Sequence, residues 1–299
     1  MIQTQTVLVL GAGASQHLRF PLGGELKISI QSHLARPEID TFQILKRLNF
    51  EQDHILGFQN ALSYSGQPSV DAFLEHRPEF TVVGKTAIAQ QLIQTEQDDY
   101  LFSHAGWYEY LLNTLAPTPE GFGENKLAVL TFNYDRSLEH YLFTALKNRF
   151  ALSDRDTTKA MASIPIFHLH GSLAPLPWQS SPGVRPYNDR TDLESIRLAR
   201  DSIRIIHEDA GDDQVFQRAH QLIAQAARLI FLGFGYHRDN VRRLMLPTTP
   251  AKARLYGSCF GFTKLETEDI KKLFPKGIVL GYYMYDVLDF LRNEIRLVE

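Results

Sequence analysis

Two short patches hold the residue types that could do chemistry. Thr131-Phe132-Asn133-Tyr134-Asp135 sets an amide and a carboxylate two residues apart, and Phe167-His168-Leu169-His170-Gly171 ends on an imidazole. Each follows or closes an apolar run that reads as a strand, over residues 127–132 and 165–169. On an extended backbone the i, i+2 spacing turns Asn133 and Asp135 to one side. An amide there can hold a sugar hydroxyl or a water, and a carboxylate can stabilise cationic character in a sugar. Helix capping is the competing use of the same pair, because a helix is predicted over residues 137–147. His170, at a strand end, suits a general base aimed at a hydroxyl or water. His168 shares its face, but no further His or Cys stands nearby at a ligand-like spacing. His168 is therefore read as structural and no metal is expected.

Two glycine pairs stand where such chemistry would need an anion held. Thr6 to Leu10 is a continuous apolar and β-branched strand running into Gly11-Ala12-Gly13-Ala14-Ser15, where a tight turn and a following helix could receive a pyrophosphate. The third glycine of the dinucleotide fingerprint is replaced by Gln16, and no ribose-binding acid can be placed about 20 residues on. Residues 228–234 form a second apolar strand ending in Gly233-Phe234-Gly235. Two such tips lining one crevice could hold the two nucleotides of one dinucleotide.

The elements that must position these residues read as an α/β protein: a doubly wound, Rossmann-like parallel sheet with an inserted, mostly helical small domain. Residues 1–24 and 117–299 are assigned to the sheet domain and 25–116 to the helical insert. Helical spacing dominates the insert, with Leu26, Ile30 and Leu34, then Ile44, Leu45 and Leu48, then Ile88, Leu92 and Ile93. A helix begins at Val70 with Ser69 or Asp71 as its N-cap, although the Asp71 region could face the cleft instead. The breakers from Pro117 to Gly123 mark the return to the sheet domain. A Pro-rich stretch over residues 174–186 is long enough to be a functional loop. Further on come a helix over 215–227, a strand over 253–262, a helix over 266–273, a strand over 277–284 and a helix from Asp286. The acidic group Glu208, Asp209, Asp212 and Asp213 precedes a helix start, where negative charge is favourable, and is read as structural. Tyr282, Tyr283 and Tyr285 are expected to pack the last strand, with one in reach of an adenine.

Bulk properties narrow the partners. A formal charge of −3 over 299 residues offers no basic footprint for nucleic acid. One cysteine, Cys259, excludes an internal disulfide and a four-cysteine zinc site, and suits a reducing compartment. The first six residues lack the charged start of a secretory signal, and no apolar run approaches ~18 residues. A cytoplasmic location away from membranes is expected.

Taken together, the motifs resemble the NAD-consuming sirtuins, and more closely their sirtuin-like bacterial relatives that hydrolyse NAD. Gly11-Ala12-Gly13-Ala14-Ser15 is similar to the family's first motif, and Thr131-Phe132-Asn133-Tyr134-Asp135 to its Thr-Gln-Asn-x-Asp motif. His170-Gly171 matches its His-Gly pair, and Gly233-Phe234-Gly235 its late nucleotide-contacting turn. The resemblance implies NAD as substrate, with Gly11, Ala12, Gly13 and Ser15 cradling the pyrophosphate. It implies that Asn133 fixes the nicotinamide ribose or the attacking water, that Asp135 supports that site and that His170 is the base. Gly233, Gly235 and Asn240 would contact the adenosine side. The chain departs from deacylating sirtuins in lacking the four-cysteine zinc module, and Arg19-Phe20-Pro21-Leu22-Gly23 stands where they carry Gly-Ile-Pro-Asp-Phe-Arg. Water then becomes the acceptor, and the implied activity is NAD glycohydrolysis giving nicotinamide and ADP-ribose. By the same resemblance it is a gated effector of abortive antiviral defence, switched by oligomerisation, a nucleotide signal or a partner such as a helicase-type ATPase or an Argonaute. The alternatives are a module that binds NAD or ADP-ribose without turnover, and an NAD-dependent protein deacylase.

Overall fold

Three five-residue runs in which every side chain is buried form the centre of the molecule: β1 (Thr6–Leu10), β2 (Leu127–Thr131) and β4 (Arg228–Leu232). The computed structural model describes residues 1–115, 118–205, 214–245 and 253–298. The acidic group Glu208, Asp209, Asp212 and Asp213 lies outside the described residues, as does Pro117, where the return to the sheet domain was drawn. With β3 (Ile166–His168), β5 (Arg254–Gly257) and β6 (Val279–Leu280), the strands make one parallel sheet in the order β3-β2-β1-β4-β5-β6. This is the doubly wound α/β architecture, whose strand order reverses between β1 and β4. Register pairs Leu10 with both Thr131 and Leu232, and Thr131 with His168, so four strand tips open at one edge.

Continuous apolar strands fit this arrangement because both faces of the sheet are covered. Alternation sends Leu8 and Leu10 into one core and Val7 and Val9 into the other. Between β1 and β2 the chain forms a 3₁₀ turn (Ala12–Leu18) and then helices. These are α1 (Gly23–Leu34), α2 (Asp40–Arg47), α3 (Gln52–Tyr64), α4 (Val70–Leu74), α5 (Thr81–Ile93), α6 (Asp98–Ser103), α7 (Trp107–Leu115) and α8 (Pro119–Phe122). Afterwards come α9 (Ser137–Phe150) and α10 (Asp154–Met161), then α11 (Leu193–Ser202), α12 (Gln214–Gln225), α13 (Arg238–Met245), α14 (Lys264–Lys272) and α15 (Val287–Asn293). The first face shares its core with α1 to α5, α7, α9, α11 and α15, and α12 to α14 cover the second. α5 is buried along most of its length and packs against α1 to α4 and against α11.

Several local outcomes differ from expectation. The turn after β1 leads into a 3₁₀ segment rather than an α-helix, because its amides are tied to the turn after β4; Arg19, with φ of 68°, then ends it. The last two strands are shorter than residues 253–262 and 277–284, and α10, α11 and α13 were not anticipated. Ser69, not Asp71, caps α4, its Oγ accepting from the Ala72 N–H.

The Pro-rich stretch 174–186 is a structural strap, and none of its residues lines the cleft described below. Arg136 and Arg185 are almost fully buried and share the carboxylate of Glu96, itself fully buried. Arg136 donates to the carbonyls of Ala174, Arg185 and Pro186, and Arg185 to those of Leu173 and Asn188. A loop without secondary structure thus has several of its backbone acceptors satisfied by two guanidinium groups.

Candidate active site

The site is assembled where the order of strands reverses. Gly11 N–H donates to the Leu232 carbonyl and Gly13 N–H to the Gly233 carbonyl, so the turns after β1 and β4 interlock backbone to backbone. Gly233 has a φ of 55°, and a Cβ there would lie 2.0 Å from the Ala14 nitrogen. A side chain at Gly11 would meet the Gly233 carbonyl oxygen at 2.7 Å. Glycine is required here for close approach. Ala14 N–H is also used, by Gly11, which leaves Ala12 as the N–H at the start of this turn without a protein partner among the described residues.

A cleft of about 500 Å³ opens over these turns, lined by Gly11, Ala12, Gly13, Gly233 and Gly235, and also by Asn133, His170 and Asn240. A second cavity of about 710 Å³ shares Gly13, Gly233 and Gly235 with it and is more apolar, with Trp107, Phe260 and Phe262. Gly13, Leu22, Gly233, Phe234 and Gly235 border both, and each volume is in the range of small-molecule sites. Asn240, linked by resemblance with the adenosine side, borders the cleft that holds Asn133. Ser15 and Asp135 border neither cavity; both are buried beneath.

Asn133 is held from several directions. Its Nδ2 donates to the Gly11 carbonyl at 3.0 Å and to Ser15 Oγ at 3.2 Å. A carbonyl can only accept, so the amide orientation is fixed and Oδ1 remains to accept from a ligand. Ser15 Oγ in turn donates to Asp135 Oδ2 at 2.8 Å, and the Ser137 N–H donates to Asp135 Oδ1. Burial pushes the Asp135 carboxyl up, against the pull of these two donors. Asp135 therefore supports Asn133 through Ser15. α7 braces the same turn, with Trp107 Nε1–H donating to the Ala14 carbonyl.

His170 is held through its backbone alone. Its carbonyl accepts from Arg204 N–H, and Gly171 makes the turn that follows, with φ of 69° and no room for a Cβ beside the Ser202 carbonyl. The ring lies between Phe132 and Phe216, with centroids 5.4 and 6.2 Å away, and forms no hydrogen bond among the described residues. Burial, and next the charge of Arg243, lower its pKa to about 4. At neutral pH the imidazole is uncharged, with a lone pair free to accept.

Of the remaining polar groups at the site, Asp71 was read as a helix cap or a cleft residue, and the partners of Asp71, Glu75 and Glu139 were not assigned in the sequence. Asp71, from α4, borders the cleft and accepts a short hydrogen bond from the Tyr134 hydroxyl, tying the helical segment to the tip of β2. Burial pushes its carboxyl up, and burial with the charges of Asp239 and Asp71 does the same to Glu75. Glu139 pairs with His168, whose Nδ1 meets the Asn133 carbonyl. The only signal for the first was an acid near a helix start; the others are pairs too far apart in the chain to be read as neighbours. Among the described residues no group of three or more His, Cys, Asp or Glu could hold a metal, and no helix is long and apolar enough to cross a membrane.

Residues 127–250 match the model of the SIR2-like domain family. The matched stretch begins at β2 and contains Asn133, Asp135, His170, Gly233, Gly235 and Asn240; it is less than half of the chain. It supports the sirtuin-like resemblance and implies NAD as substrate or cofactor. No curated protein matches the chain.

Proposed function

We propose that the protein cleaves the N-glycosidic bond of NAD with water, releasing nicotinamide and ADP-ribose. The observation that supports this most directly is one cleft at the reversal of strand order that contains Asn133, His170 and Gly13 together. Nicotinamide leaves with the bonding electron pair, and the ribose passes through an oxocarbenium-like state. Asn133 Oδ1 accepts from a ribose hydroxyl or from the attacking water, and that water bonds to the anomeric carbon. His170 takes the proton the water loses. Its low proton affinity in the free protein is raised when a pyrophosphate brings negative charge close by. Ala12 N–H meets the pyrophosphate, while Gly11, Gly13 and Gly233 let it approach. The adenosine extends past Gly235 into the apolar second cavity. Asp135 and Ser15 act by fixing Asn133. Residues 25–116 serve as a small domain that closes the cleft with Asp71, Glu75 and His76.

The test is incubation of the purified protein with NAD while nicotinamide is followed by chromatography, beside a calorimetric measurement of NAD binding. Release at a rate above that of buffer is expected. Tight binding with no release under any activating condition would leave a module that holds NAD without turning it over.

Unchecked hydrolysis would drain the NAD pool, so we place the activity in a gated cytoplasmic effector of abortive antiviral defence. The gate is self-assembly, a nucleotide signal or a separate sensor such as a helicase-type ATPase or an Argonaute. Sedimentation that finds a constitutively active monomer would remove the gate from this account.

A further inference from the structure

His168 sits at the end of β3 with an acceptor at each ring nitrogen. Nδ1 is 2.8 Å from the Asn133 carbonyl oxygen, and Nε2 is 2.7 Å from Glu139 Oε1. The carbonyl can only accept, so Nδ1 carries a proton. Nε2 then either donates to an ionised Glu139, making the ring an imidazolium, or accepts from a protonated one. Both side chains are almost wholly buried, with 13% and 4% exposure, so water does not replace either bond. The backbone fixed in this way is that of the residue whose amide borders the cleft.

Resting on the NAD-cleaving reading, we propose that His168 and Glu139 are positioning residues whose charged pairing holds Asn133 in its working geometry and sets the alkaline limit of activity.

The surrounding charges favour the ionised pair. Burial opposes the charge on both groups, but Glu139 is nevertheless held down by His168, by a backbone hydrogen bond and by Arg136 together. His168 is held up by Glu139, the Asn133 carbonyl and Asp135, on the turn after β2, together. From α7, Tyr108 is pushed further up by burial and by Asp135 and Glu139, and stays neutral. α10 faces Glu139 with Thr158, Met161 and Ala162 across a cavity of about 300 Å³, and none of these titrates. α12 also packs against β3, and its His220 is turned to the Arg243 carbonyl. The signs give the window. A raised imidazole loses its contribution as pH rises through its folded pKa, above the ordinary 6.5. A lowered carboxyl loses its contribution as pH falls through its folded pKa, below the ordinary 4.5. Between the two, Asn133 is clamped.

Glu139→Gln separates charge from geometry. A glutamine amide can donate to a neutral Nε2 while Nδ1–H keeps the Asn133 carbonyl, so both bonds survive without ionisation. Two measurements decide the matter. In the first, histidine-labelled protein is titrated by NMR, with the His168 signal identified by its loss in His168→Asn. The His168 signal is expected to titrate above 6.5 in the parent protein and to move down by more than one pH unit in Glu139→Gln. In the second, the rate of nicotinamide release is followed against pH. The parent is expected to lose at least tenfold of its activity on the alkaline side, and Glu139→Gln to show a profile level there. A His168 that titrates below 6.5 in the parent, or alkaline limbs that superimpose in both proteins, overturns the proposal. If no nicotinamide is released at all, the NMR titration still decides the pairing, and it is the NAD-cleaving reading that fails.

Discussion

The tips of β2 and β3 each carry one of the side chains assigned to chemistry, and the protein holds them in opposite ways. Asn133 is gripped at its side chain by the Gly11 carbonyl and Ser15, and at its backbone by His168. His170 is fixed only through its main chain, by Arg204 and the Gly171 turn, and beyond them by the strap that Glu96, Arg136 and Arg185 hold in place. An amide serves by where it points, so every bond made to its NH₂ end aims its oxygen. A base serves by its free lone pair, and a hydrogen bond to the ring would compete with the proton it must take. Rigid aim and open valence call for different kinds of support.

The largest expected effect breaks the contrast from the β3 side. Glu96→Gln leaves two buried guanidinium groups without a counter-charge, and should cost about 3–5 kcal/mol of stability in urea unfolding. A loss under about 1 kcal/mol would mean that the strap does not depend on this triad. His170→Leu comes next, with NAD cleavage expected to fall about 10²–10⁴-fold, as for loss of a general base, while the fold is kept. Its pH behaviour sharpens the comparison. The His170 pKa is lowered from 6.5 to about 4, so the unfolded chain binds the extra proton first as pH falls. This group's contribution is therefore full above about 6.5 and is lost on going down to about 4, a difference of about 3 kcal/mol. Unfolding followed between pH 7 and 4 should show a smaller acid loss in His170→Leu than in the parent. Asn133→Ala is expected to slow cleavage about 10²–10³-fold and also to cost about 1 kcal/mol of stability, since Ser15 and the Gly11 carbonyl lose their partner. An Asn133→Ala protein as stable as the parent would erase the distinction between the two tips.

Much of this could be read from the chain. The runs around Val9, Val129 and Ile230 are apolar at every position because both sheet faces are covered, and strands of that kind announce themselves. Asn133 and the two glycine pairs stand just after such strands, and His170 just after the short, half-buried β3, so their meeting at one edge followed once the strands were parallel. What escaped depends on pairs with no local signature. Tyr134 and Asp71 are 63 residues apart, and Glu96 and Arg185 are 89 apart. α10 and α13 are short and expose mostly charged side chains, so their few apolar positions, such as Val241 and Leu244, give only a brief signal. The glycine turns were legible as turns, yet not as partners: their amides bond mainly to one another, and the close approach they permit could be seen only in three dimensions.

The central place of β1 governs how the protein comes into being. Its neighbours, β2 and β4, begin at residues 127 and 228, so β1 waits for more than two hundred further residues before its second edge is paired. The carbonyl of Gly233, on which Gly13 rests, is among the later arrivals. A chain ending before β4 lacks the carbonyls that anchor the first glycine turn and the Gly233, Phe234 and Gly235 wall of the cleft.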